Sequence, residues 1–193
     1  MEEKKYRLLE NETVEVDGWT LYRIEALRDF VDVKAGDKGG FVESEENLSH
    51  EGNCWVYDDA KVYSNAKVYN NAEVCDNAEV CDSAEVCESA RVYGSVNVHG
   101  YAEVCGNASV GGNAVVGGLA KVKSNEGYIV FKNWWSSGRY FTWTRSNNRW
   151  RVGCFYGTGE ELIKKAYTDS ERSGREYERI VKYVEEILKD ERE

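Results

Sequence analysis

Proline is absent from all 193 residues, where average usage would supply roughly ten. Its absence excludes a chain rich in irregular, proline-set turns and favours long regular hydrogen bonding. Histidine is scarce, with only His50 and His99, too few for a zinc centre built on three imidazoles. Positive charge is short as well. Twenty-five basic residues face 35 acidic ones, a net charge of -10, which argues against a nucleic-acid binder or a protein of anionic membrane surfaces. No run of 18 apolar residues occurs, so no membrane-spanning segment is expected. The start, Met1-Glu2-Glu3-Lys4-Lys5, has no apolar stretch of signal-peptide type, and a cytoplasmic protein is expected. Disorder is excluded in turn by an apolar content of 41%.

What is present is a repeat. From Asp59 the chain reads DAKVYS, NAKVYN, NAEVCD, NAEVCD, SAEVCE, SARVYG, SVNVHG, YAEVCG, NASVGG, NAVVGG, LAKVKS. A small residue recurs every six positions from Ala60 to Ala120, with Val96 in one slot, and valine follows two residues later from Val62 to Val122. The register extends back through Cys54/Val56 and Leu48/His50, so thirteen hexads fill 47–124 without an insertion. This period fits neither a helix nor a hairpin stack. It predicts a parallel β-solenoid in which each hexad is a short strand and a corner. Residues two apart share a face, so the small residue and the valine point inward. The asparagines that precede the small residue (Asn65, Asn71, Asn77, Asn107 and Asn113) are expected to take the left-handed backbone of the corner. Cys75, Cys81, Cys87 and Cys105 lie on the same grid, which marks them as reduced packing residues, not disulfide or metal partners.

The copies of V-Y-S-N-A-K resemble the hexapeptide repeat of left-handed parallel β-helices. That resemblance implies a triangular coil of three hexads, about four coils for 47–124, and a left-handed course. It also implies a homo-oligomer, with a trimer favoured. Residues 18 apart should then stack. Lys61 falls with Glu79, Lys67 with Glu85, Glu73 with Arg91 and Glu103 with Lys121, while Glu85 meets Glu103 as a like pair. A second resemblance lies in Val33-Lys34-Ala35-Gly36, Gly39-Gly40-Phe41-Val42, Glu46-Asn47-Leu48-Ser49 and Gly52-Asn53-Cys54-Trp55-Val56-Tyr57. These are similar to the entry segment of a bacterial and phage family of hexapeptide-repeat transferases and polymer-forming proteins. The likeness covers 4–124, implies a phage or prophage origin, and carries no catalytic residues with it.

The flanks differ from the repeat. Residues 1–46 read as a β cap, with Thr13–Val16 and Trp19–Ile24 joined at an Asp17-Gly18 hairpin turn. A cap is expected there because a solenoid end exposes unpaired strand edges. Residues 125–193 read as a β-hairpin followed by helices. Within them, 128–157 carry five bases and no acid, together with Trp134, Trp135, Trp143 and Trp150. With Asn147-Asn148 as a two-residue turn, Phe141, Trp143 and Trp150 share an apolar core face. Tyr140, Thr142, Thr144, Arg149 and Arg151 then share a polar cationic one. Thr158-Gly159-Glu160-Glu161 and Ser173-Gly174-Arg175-Glu176 both match a capping box. Tyr177, Ile180, Val181, Val184, Ile187 and Leu188 form a helical apolar stripe for core or subunit contact.

The chemistry is therefore narrow. Acyltransferases of the family that the repeat resembles typically use a histidine as general base and a loop protruding from a coil to enclose the substrate. The uninterrupted spacing leaves no room for such a loop, His50 takes an inward slot, and His99 sits at a corner. No nucleotide-binding, metallohydrolase or serine-hydrolase motif occurs, and no cofactor or metal is expected. The expected ligand site is the basic aromatic segment: Trp134, Arg139, Tyr140, Thr142, Thr144, Arg145, Arg149 and Arg151. Arginine forks suit phosphate or carboxylate, hydroxyls add hydrogen bonds, and the rings offer stacking. The reading is a mainly β, phage-type oligomeric binding protein without enzymatic activity, which sequesters a nucleotide-like anion or blocks a host defence component. A hexapeptide-repeat acyltransferase and a purely structural, self-assembling protein are the alternatives.

Overall fold

The computed structural model describes residues 4–190. The chain forms two compact units. The first runs to Tyr128 and takes in Thr144–Asn147; the second comprises Ile129–Trp143 and the chain from Asn148 onward.

The first unit opens with the hairpin β1 (Tyr6–Val16) and β2 (Trp19–Ala26). Asp17 and Gly18 both have positive φ, 50° and 87°, so the expected two-residue turn is formed. Strand β3 (Lys38–Val42) pairs antiparallel with β2 on one side and parallel with Lys61–Val62 on the other. It converts the cap into the first rung of the solenoid. Among the described residues, twelve two-residue strands follow, β4–β15, one every six residues from Trp55–Val56 to Lys121–Val122. They stack into three parallel sheets. Val62 pairs with Val80, Val80 with Val98, and Val98 with Val116, so residues 18 apart stack as expected. With β3 and the Leu48–Val68 bridge as further rungs, the solenoid has about five turns among the described residues; β3 adds one rung to the thirteen expected hexads. Leu48 pairs with Val68, so it takes the inward valine slot that the repeat register assigned to His50.

Small size and hydrogen bonding hold the coils together. The alanines from Ala60 to Ala120 and the valines from Val62 to Val122 are buried. Each coil donates to the next, as in Lys61 N–H to the Ala78 carbonyl and Tyr63 N–H to the Val80 carbonyl. The left-handed corner residue is not the asparagine. It lies one position earlier, at Asp58, Ser64, Asn70, Asp76, Asp82 and Glu88, with φ between 53° and 61°, and at glycine from Gly94 onward. The acids here offset a strained backbone by bonding the next coil. Asp76 accepts from Gly94 N–H at 2.7 Å, Asp82 from Gly100 at 2.9 Å and Glu88 from Gly106 at 2.7 Å. The asparagine row is exposed, and the backbone N–H groups of Asn71 and Asn77 bond the following coil at the Glu88 and Gly94 carbonyls.

The residue after each valine follows a second rule: a large ring lies across a small residue one coil on. Tyr93 covers Gly111, where an added Cβ would stand 2.3 Å from the ring, and His99 covers Gly117 at 2.5 Å. Tyr63 and Tyr69 reach the thiols of Cys81 and Cys87 in the same way. This accounts for the cysteine columns, since a thiol is small, apolar and tolerant of a ring above it. All six cysteines are free thiols. On the outer surface, Arg91 meets Glu73 at 2.7 Å, Lys121 meets Glu103 at 2.6 Å and Lys61 meets Glu79 at 3.4 Å. Lys67 is in register with Glu85, whose carboxylate accepts from the Tyr69 hydroxyl.

The second unit is a four-stranded sheet, β16 (Tyr128–Lys132), β17 (Tyr140–Thr144), β18 (Arg149–Val152) and β19 (Phe155–Gly157), with helices α1 (Gly159–Asp169) and α2 (Glu171–Asp190). The turn between β17 and β18 spans 145–148 and is wider than the two residues expected. A further turn at Gly153, with φ of 57°, splits the second expected strand into β18 and β19. Thr158 caps α1 through the complete capping box with Glu161. Helix α2 begins earlier than the Ser173 signal implies, because the Ser170 hydroxyl already accepts from the Ser173 N–H. The core is aromatic: Trp135, Phe141, Trp143, Trp150 and Tyr177 pack with Leu162, Val181 and Val184. The apolar stripe of α2 is consumed here, so it gives no argument for a subunit contact.

Candidate functional site

In the solenoid the chemistry-bearing groups are the two imidazoles and the thiols. His99 follows β11 (Asn97–Val98) at a corner, with its Nδ1 3.9 Å from the Asp82 carboxylate and its Nε2 buried above Gly117. His50 lies in the cap, stacked on Tyr6 at 4.3 Å. Its Nδ1 accepts from the Lys5 N–H, and its buried Nε2 lies 3.5 Å from Glu45. Both rings are thus placed by packing, with Nε2 turned away from solvent. The thiols are held protonated. Burial, then the neighbouring Glu73, pushes Cys75 up to about 11; burial, then Glu103, pushes Cys105 up to about 12. Protonated thiols are poor nucleophiles and poor metal ligands. Cys75, Cys81 and Cys87 follow strands of three different sheets. Among the described residues no group of His, Cys, Asp and Glu is arranged to hold a metal ion.

The basic aromatic segment divides into different environments. Thr142 and Thr144 are 1% and 4% exposed, so the expected polar face of β17 does not exist as a solvated surface. β17 is an inner strand of its sheet, flanked by β16 and β18, and both its faces are covered, so alternation does not separate core from solvent there. Arg145 is tied down, its Nε donating to the Glu126 carbonyl at 2.9 Å. Arg149 lies near enough to Glu161 to help hold that carboxyl low, after the larger effect of its hydrogen bonds with Thr158. Arg151 is half-buried in β18, with its Nε covered. Trp134 is 68% exposed with the Arg172 guanidinium 5.7 Å above its ring, and Tyr140 is exposed with the Lys132 ammonium at 5.4 Å. Of these eight residues, Arg139 alone borders the cavity of the second unit.

Arg139 does line a site, with partners that the sequence reading missed. A cavity of about 230 Å³ in the second unit is bordered by the 133–139 loop, α1 and the start of α2. Buried Asn133 builds the loop. Its Oδ1 accepts from the Ser136 N–H and hydroxyl, its carbonyl accepts from Gly138, and its Nδ2 donates to the Tyr177 hydroxyl at 3.2 Å. Lys165 faces Arg139's cavity from α1, on the face that also carries Leu162, Ala166 and Asp169. Their i, i+3, i+4, i+7 spacing was the available signal.

No family model matches the chain. Part of it is similar to a protein of Escherichia coli (strain K12) named Uncharacterized acetyltransferase YdcK, with 44% identity over 62 residues. The match covers 28% of this chain and 19% of that protein, so the chain spans about a fifth of the length of the relative. Together with the parallel β-solenoid, this likeness fits a hexapeptide-repeat, transferase-like protein. It favours the acyltransferase alternative over the binding protein expected from the sequence. Among the described residues no helix is long and apolar enough to cross a membrane.

Proposed function

We propose that this is a transferase-type hexapeptide solenoid and that acyl transfer is its activity. The local likeness to a protein named as an acetyltransferase, in a chain whose main body is a parallel β-solenoid, carries this reading. Within the chain, His99 has the chemistry of the base that would take a proton from the acceptor, with Asp82 orienting the imidazole. Its Nε2 is covered, so the ring must rotate off Gly117 to present that nitrogen. The test is release of free coenzyme A from acetyl-coenzyme A with a panel of amine and hydroxyl acceptors. Turnover that disappears in His99→Ala is expected; no turnover, or turnover that survives in His99→Ala, overturns the reading.

A second reading is a phage-type cytoplasmic homo-oligomer, with a trimer favoured, that binds an anionic ligand or a host component without transforming it. The cavity beside Arg139 and Lys165 favours it. Ligand-induced melting shifts on screening nucleotides and organic acids, with solution mass for the subunit number, test it. A mass near the 22.0 kDa monomer would remove the oligomer, and no shift with any anion would remove the binder.

A further inference from the structure

The geometry points to a small monocarboxylate with a short apolar body as the occupant of the Arg139–Lys165 cavity. This inference rests on the second reading above and narrows it.

Charge comes first. Two cations, Arg139 and Lys165, border the cavity against one acid, Asp169. Neither cation forms an ion pair among the described residues, although other arginines and lysines of the same unit, such as Arg179 with Glu176 and Lys182 with Glu178, do. The balance of one positive charge matches a monoanion. A phosphate dianion would meet Asp169 with an excess of negative charge. Guanidinium is a planar fork that matches a carboxylate in a bidentate way, and the ammonium adds a second, freely rotating donor.

Position comes second. Arg139 follows directly on the loop that Asn133 closes, and its own N–H is anchored at the Ser137 hydroxyl. Its guanidinium lies along Gly153, where a Cβ would stand 3.4 Å from an Nη. The backbone that carries the arginine is thus braced, which fixes where its side chain starts from at the rim of the cavity.

Shape and polarity come third. Phe155, Leu162 and Val152 line the cavity beside these polar groups. At about 230 Å³ the space lies below the range of roughly 300–1,000 Å³ usual for drug-sized ligands. It suits an aliphatic acid of a few carbons or a single aromatic ring bearing a carboxylate. It is small for an intact nucleotide, the ligand class expected from the sequence.

The test is titration calorimetry of the full chain with acetate, butyrate, hexanoate, benzoate, inorganic phosphate and adenosine monophosphate. Affinity should rise by about fourfold for each methylene from acetate to hexanoate. Arg139→Ala and Lys165→Ala should each weaken hexanoate binding by about tenfold or more, and Arg139→Lys by less than Arg139→Ala. Both side chains are exposed, so melting temperature should stay within a degree or two and separate lost binding from lost fold. Affinity indifferent to chain length, or unchanged in Arg139→Ala, overturns the inference. Phosphate or adenosine monophosphate bound more tightly than hexanoate, and lost with Arg139→Ala, also overturns it while leaving the broader anion-binding reading standing. No binding of any of the six at millimolar concentration ends both.

Discussion

In the solenoid inward valines from Val56 to Val104 are met by the valine eighteen positions on, and the same step sets the hydrogen bonds, the ring-over-small contacts and the surface ion pairs. In the C-terminal unit Trp135 meets Phe141 at 6.3 Å and Tyr177 at 5.0 Å, six and forty-two residues away, and no step repeats. One region thus gains stability from many small identical contacts, and the other from a few large aromatic ones. The chemistry follows the same division. A periodic wall presents repeated corners with their groups packed flat, whereas an irregular unit can bring unlike groups such as Arg139, Lys165 and Asp169 around one cavity.

Substitutions can break this comparison. The largest effect should come from Val80→Asp, which puts an uncompensated charge between two buried valines. A loss of about 5 kcal/mol or more is expected, seen as missing β circular dichroism. A folded variant with unchanged melting would mean that the coils do not depend on a dry interior. Next, Phe141→Ala removes the ring that touches Phe131, Trp135, Trp150 and Tyr177, and should cost about 3–5 kcal/mol. Tryptophan fluorescence should report it, because Trp134, Trp135, Trp143 and Trp150 all lie in this unit. A smaller effect, about 1–3 kcal/mol, is expected for Gly117→Ala, whose methyl group would collide with the His99 ring. His99→Ala in the same chain should restore most of the loss, and a double-mutant cycle that finds no coupling would remove the ring-over-small rule.

The mildest prediction concerns pH. The folded state keeps the Cys75 and Cys105 protons up to about 11 and about 12, while unfolded thiols titrate near 9. Below pH 9 both states hold the protons and this contribution is complete. As pH rises from 9 through the folded values, the unfolded state releases protons first and stability falls. Urea midpoints measured between pH 8 and 11 should decline, with a shallower slope in Cys105→Ser. An equal slope in that variant would show that Cys105 is not protected by the coil.

The sequence by itself determined whatever depends on a local period or a local turn. The valine and small-residue rows give inward faces because side chains alternate along a strand. Asp17-Gly18 gives its hairpin because both residues accept positive φ, and Thr158 with Glu161 gives a cap because the two groups are three residues apart. Tertiary structure decided the rest. Which corner residue turns left-handed depends on how the coils stack, and at several corners a carboxylate 18 residues earlier bonds the corner N–H. Whether Thr142 and Thr144 face water was fixed by the covering of an inner strand on both faces, which alternation cannot reveal. Asn133, Arg139 and Lys165 came together because a closed loop and the start of a helical pair enclose the same space, and charge counting along the chain finds the arginine without finding its partners. Periodic contacts are written into neighbouring residues, whereas a cavity is defined by residues that have no relation until the chain folds.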